Sequence, residues 1–96
     1  MKIRFDPEAL DEYENSTLYY LKINEQLAKR FIEDVEATVR RMRTHPLAYA
    51  VVDEDIRRCL VKKFPFGIYY TVEEDFLLIV AVMHLSRRPG YWKERV

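Results

Sequence analysis

Residues 76–83 read FLLIVAVM, eight apolar side chains in a row. A run this short and this rich in Ile, Leu and Val suits a strand covered on both faces. It is far too short to span a membrane as a helix. Two related pieces precede it. Arg57 to Lys63 has basic residues at both ends, with Cys59, Leu60 and Val61 between them. Phe64-Pro65-Phe66-Gly67 interrupts, and Ile68 to Val72 is β-branched and aromatic. Glu73-Glu74-Asp75 is a polar turn before the apolar run. Three strands joined by such short links predict an antiparallel meander.

The first half of the chain has a different period. Lys2 to Phe5 alternates polar and apolar, as a half-buried strand does. Asp6-Pro7-Glu8 is a helix start: Asp6 can accept from free amides, Pro7 suits the first helical position, and Glu8 meets the positive helix end. Leu10, Tyr13, Thr17, Tyr20 and Leu21 then recur at helical spacing, to about Lys22. Asn24 can cap a second helix with Glu25 in its first turn. Leu27, Phe31, Val35, Val39 and Met42 mark its apolar face, widened by Ala28 and Ile32. Arg40, Arg41 and Arg43 sit where positive charge suits a helix end, and His45-Pro46 stops the pattern. The short link at Ile23-Asn24 implies an αα-hairpin. Leu47 to Asp55 reads as a connection, tacked down by Tyr49, Val51 and Val52.

The expected order is therefore β-α-α-β-β-β, an α+β domain spanning 1–96, with a helical hairpin on one face of a small, mainly antiparallel sheet. Phe66, Ile68, Tyr70 and Val72 should face the helices. Gly67, Tyr69 and Thr71 should face an open side.

Composition narrows the class. Ninety-six residues with 49% hydrophobic and 33% charged side chains fit one soluble globular domain rather than a disordered chain. Cys59 is the single cysteine, so an internal disulfide and a paired-cysteine metal site are excluded, and its apolar neighbours make it a core residue. No long apolar segment opens the chain, which suggests a cytoplasmic protein with no membrane association. The zero net charge hides an asymmetry. Asp6 to Glu36 holds nine acids against three bases, whereas from Ile56 onward eight bases face four acids. Such a basic half can meet nucleic acid or an acidic protein segment; two solvated faces are the plainer account.

Chemistry, if present, belongs to Arg57, Arg58, Lys62, Lys63, His84, Arg87, Arg88, Tyr91 and Trp92. Attack of an RNA 2′-oxygen on phosphate needs a base, an acid and cations that hold the added charge. Histidine as a residue type has a reference pKa near neutrality, so His84 is the natural acid or base. Arg58, Lys62, Arg87 and Arg88 can hold phosphate, and Tyr91 or Trp92 can stack a base. The same residue types also line plain docking surfaces, and His84 can equally be a strand-end residue bonded to backbone. Metal-ligand spacing and a Gly-rich phosphate loop are both missing, so no metal or cofactor is expected.

These residues, taken in order, resemble the RelE/ParE superfamily of toxins from bacterial type II toxin–antitoxin modules. The carriers are Phe5-Asp6-Pro7 with Ala9, Tyr19-Tyr20, Ala28-Lys29-Arg30-Phe31, His45-Pro46, Ile56-Arg57-Arg58, Phe64 to Tyr70, and His84 with Arg87-Arg88-Pro89 and Tyr91-Trp92. The resemblance implies a toxin restrained by a cognate antitoxin. RelE-like members cleave mRNA on the ribosome; ParE-like members block DNA gyrase. RelE-like nucleases commonly carry an Arg in the middle strand where this chain has Gly67. The aromatic-Pro-aromatic stretch Phe64-Pro65-Phe66 is closer to ParE-like chains. The reading leans to gyrase, with Arg57, Lys63, Tyr91 and Trp92 among the target contacts. A ribosome-dependent endonuclease using His84, and a non-toxic antitoxin-binding relative, are the alternatives.

Overall fold

A computed structural model of the chain describes residues 1–86. Its elements are β1 (Lys2–Phe5), α1 (Pro7–Ile23), α2 (Glu25–Thr44), β2 (Val51–Asp53), β3 (Ile56–Leu60), β4 (Phe66–Val72) and β5 (Phe76–His84). Among the described residues, the five strands lie in the order β1-β5-β4-β3-β2. Of their pairings only that of β1 with β5 is parallel. The apolar run is thus an inner strand, as its composition requires.

Both helix starts form as the capping residues dictate. Asp6 accepts from the Glu8 amide at 3.0 Å, with Pro7 in the first turn. Asn24 accepts from the Leu27 amide at 3.1 Å, and its own N–H closes α1 on the Tyr20 carbonyl. One residue therefore ends one helix and begins the next, which fixes the tight hairpin.

Three features differ from the sequence expectation. Val51 to Asp53, read as a connection, is a fifth strand paired with β3. Three residues and a turn with Glu54 at φ 49 leave too little pattern for periodicity to register. β3 itself stops at Leu60, so Lys62 and Lys63 lie in the following turn. The rear of the sheet is also not open. Ile56, Tyr69, Val80, Ala81 and Met83 form a second buried apolar cluster there.

The main core lies between the helices and the sheet. Phe31, Val35 and Met42 of α2 meet Ile68, Tyr70, Leu77, Ile79 and Val82. Phe66, Ile68 and Tyr70 face the helices as expected, and the partly buried Val72 packs against the same cluster. Each large side chain buried here contributes roughly 1.5–3 kcal/mol. Phe64 and Phe66 flank Pro65 and grip the hairpin: both rings lie 5.0–5.3 Å from Phe31, and 5.0 and 6.3 Å from Tyr20. The aromatic-Pro-aromatic stretch thus seats the β3–β4 turn on the helices.

A bulge in β5 decides where the end of that strand points. Tyr70 pairs with Ile79 and Tyr69 with Ala81, so Val80 is an extra residue in β5. The extra residue reverses the alternation. Leu77 and Ile79 face the helices before it; Val82 does so after it. His84, two residues further, is turned to the helix side as well.

Candidate functional site

His84 ends β5 opposite Phe66, with the two rings 5.3 Å apart and edge to face. Its Nδ1 accepts the Ser86 amide at 3.1 Å and lies 2.8 Å from the Ser86 hydroxyl. An amide can only donate, so Nδ1 is the bare nitrogen and the neutral ring carries its proton on Nε2. The ring lines a cavity of about 130 Å³ with Glu12, Asn15 and Ser16 of α1 and Phe66, Val82 and Met83 of the sheet. Residues 12, 15 and 16 share one helical face, which explains their convergence.

Glu12 has a structural task in this corner. Pairing of β1 with β5 ends at Phe5 and Ile79. The Val82 amide beyond that point donates to Glu12 Oε1 at 3.1 Å. A helix carboxylate thus takes over where the neighbouring strand stops, as a buried amide needs a partner.

The cations lie elsewhere. Arg58 pairs with Tyr69, a rear-face position, and is exposed. His84 faces the helices, so the sheet separates the two. Lys62 and Lys63 are exposed in the turn after β3; the Lys63 amide donates to Asp34 Oδ2 at 2.6 Å. Arg57 is half-buried and committed: its Nη1 donates to the carbonyls of Tyr49 at 2.7 Å and Leu47 at 3.2 Å. It clamps the connection after α2, together with the Tyr70 hydroxyl, which donates to the Pro46 carbonyl at 2.7 Å. Arg87, Arg88, Tyr91 and Trp92 lie outside the described residues. The structure therefore does not join Arg58 to His84 in one site.

Gly67 explains part of this. A Cβ at Gly67 would stand 3.0 Å from the Tyr69 ring. The ring lies back over the glycine on the rear face, where the resembling nucleases carry an Arg. Small and aromatic residues two apart on one strand face are the signal that points to this packing.

Sequence reasoning missed Arg41. Its Nη2 donates to the Leu60 carbonyl at 3.1 Å and to Thr38 Oγ1 at 3.2 Å, tying α2 to β3 beside Cys59. Burial pushes the Cys59 thiol up, opposed by Arg41 and by hydrogen bonds from Tyr49 and Arg41. Cys59 is 1% exposed and belongs to the core, as its neighbours indicated. The run of three arginines near the end of α2 conceals which one turns inward.

Among the described residues, no cluster of three His, Cys, Asp or Glu side chains could hold a metal ion, and no helix is long and apolar enough to cross a membrane.

A family model described as "ParE toxin of type II toxin-antitoxin system, parDE" matches residues 3–89. The chain belongs to the ParE toxin family. Its fold is similar to that of a chain from the chromosomal ParDE TA system of P. aeruginosa, with a TM-score of 0.76 at 15% identity, covering 88% of this chain and 95% of the other. No curated protein matches the sequence. The ParE family assignment agrees with the helical hairpin and the antiparallel meander, and makes this chain a member of a family of type II toxins.

Proposed function

We propose that the chain is the toxin of a type II toxin–antitoxin pair and acts by docking on DNA gyrase, without catalysis of its own. The observation that carries this reading is the separation of Arg58 from His84 by the sheet, with the Tyr69 ring lying over Gly67 on the Arg58 face. Phosphoryl transfer to a 2′-oxygen needs acid, base and cation around one phosphorus. The His84 ring, held by Ser86 through Nδ1, suits a positioned strand end better than a group beside a phosphate clamp. Arg58, Lys62 and Lys63 are exposed bases at and just after β3 that suit an anionic protein surface. A cognate antitoxin carrying an acidic or amphipathic segment would neutralise them.

Purified protein added to a gyrase supercoiling reaction should inhibit it, and Lys62→Glu with Lys63→Glu should weaken inhibition at least tenfold. The same protein added to translating ribosomes should leave a labelled message intact. Unimpaired supercoiling, together with message cleavage that His84→Ala abolishes, would establish the nuclease instead. Failure of both reactions in a chain that still binds the product of a neighbouring gene would identify a non-toxic relative.

A further inference from the structure

At one end of the molecule the turn between the helices and the turn after β3 meet, and aromatic rings join them. The Tyr19 and Tyr20 rings are 5.3 Å apart and edge to face, and Tyr20 stands 5.0 Å from Phe64. Phe64 in turn packs on Phe31 at 5.3 Å, so α1, α2 and the turn after β3 share this end. Tyr20 and Phe64 are half-buried and pack against the main core. Tyr19 takes no part in that core and is 63% exposed. An edge-to-face contact leaves at least one face of the exposed ring uncovered by its neighbour. A tyrosine steadied by a second ring yet open to water can stack a flat aromatic group.

Cations stand at the same end. Lys22 follows Tyr19 by three residues, which puts it on the same side of α1, and it is exposed. The Lys63 amide donates to Asp34 Oδ2 at 2.6 Å, which brings the exposed Lys62 and Lys63 beside α2. Arg30, also exposed, lies one turn before Asp34 on that helix. Among the described residues, none of these four side chains is in an ion pair. Glu25, near the turn between the helices, is paired with Lys29 at 3.8 Å. Asp34, engaged by the Lys63 amide, and the exposed Glu33 are the acids beside the four cations, so the surface stays positive.

We propose that this end of the molecule binds a single strand of nucleic acid, whatever its base sequence or sugar, with a base stacked on Tyr19 and phosphates held by Lys22, Arg30, Lys62 and Lys63. Stacking asks for a base free of its complement, because the faces of a paired base are covered by its neighbours in the duplex. An acidic protein segment would use the cations and leave the ring idle. The strand is bound by the chain alone and no bond in it is cut, so the inference goes beyond docking on gyrase and does not rest on it. Lys62 and Lys63 are common to both readings; Tyr19 belongs to this one.

The test uses the full chain without gyrase and labelled strands of about 15 nucleotides. One is oligothymidylate, a second oligouridylate, and a third an abasic strand with the same phosphates; a polyglutamate peptide of equal charge is the fourth probe. Fluorescence anisotropy should show the two base-bearing strands binding within about threefold of each other, and the abasic strand and polyglutamate at least tenfold more weakly. Tyr19→Ala should lower oligothymidylate to the abasic level with circular dichroism unchanged, because Tyr19 is 63% exposed. Tyr19→Phe keeps the ring and should bind as the parent does. Lys62→Gln with Lys63→Gln should weaken every strand and flatten the dependence on salt. Equal affinity for the thymidylate and abasic strands overturns the proposal, as does polyglutamate that binds as tightly, a tenfold preference for one sugar, or undiminished binding by folded Tyr19→Ala. Should Tyr19→Ala not fold, the comparison of the four probes on the unaltered chain decides the matter in the same way.

Discussion

The two helices come from one hairpin and do opposite work. α2 fully buries Ala28, Phe31, Val35, Thr38, Val39 and Met42, and its outer side is charged. α1 fully buries only Ala9 and otherwise leans on half-buried Tyr13 and Tyr20. The core therefore depends on α2, while α1 spends its apolar residues on water. A helix can be stabilised by one clean stripe, and the extra apolar positions of α1 are then free for something other than folding.

The sharpest way to break this contrast is Phe31→Ala. Phe31 is fully buried and its ring meets Tyr13, Tyr20, Phe64 and Phe66 within 6.0 Å. Removing it should cost about 3–5 kcal/mol in urea unfolding, a large part of the roughly 5–15 kcal/mol typical of a domain. A loss below about 1 kcal/mol would mean that α2 is not the anchor.

Alkaline unfolding sharpens the same contrast through two tyrosines. Tyr70, fully buried under the hairpin side of the sheet, is pushed up to about 12 by burial first, then by Cys59 and Tyr49, with Arg57 opposing. Tyr13 on α1 is pushed up to about 12 by burial and then by Glu36. In both, the folded protein holds the proton more tightly than the unfolded chain. Their contribution is complete below about pH 10 and is lost as pH climbs toward about 12. For Tyr70 the loss should be on the order of 2 kcal/mol. Tyr13 is half-buried, and solvent screens it. Denaturation midpoints taken from pH 8 to 12 should therefore fall less steeply in Tyr70→Phe than in Tyr13→Phe. The reverse order would place the stronger desolvation on α1.

The sequence carried the fold at the level of period and punctuation. Asp6-Pro7 and Asn24 mark the helix starts by side-chain chemistry alone, and the run from Phe76 to Met83 marks the buried inner strand. The site was legible as a set of residue types but not as an arrangement. Val80 is chemically indistinguishable from its neighbours, so the bulge that turns His84 toward the helices leaves no trace in composition. Without it, His84 would share the rear face with Arg58, and the two would look like parts of one site. Arg57 illustrates the same limit: its partners are backbone carbonyls of Leu47 and Tyr49, which no side-chain pattern announces. Leu10, Tyr13, Thr17, Tyr20 and Leu21 of α1 were visible at helical spacing, but that Leu10 and Leu21 of that stripe stay exposed depends on where the hairpin closes on the sheet.

Asn24 tests how far the helices are coupled. It closes α1 through its backbone and opens α2 through its side chain. Asn24→Ala removes only the second bond, so it should cost about 1 kcal/mol and loosen α2 alone. Hydrogen exchange should quicken at the Leu27 amide and leave the end of α1 protected. Equal loss of protection on both sides would show that the hairpin frays as one unit.

The smallest expected effect is the most telling. Leu18→Ser removes an apolar side chain that is half in water, and it should shift stability by no more than about 0.5 kcal/mol. The same change in α2, Val35→Ser, buries an unpartnered hydroxyl and should cost several times more. The pair isolates position from chemistry, because both replace a branched apolar residue by serine within one hairpin. If Leu18→Ser destabilised the chain as much as Val35→Ser, the outer side of α1 would be part of the core.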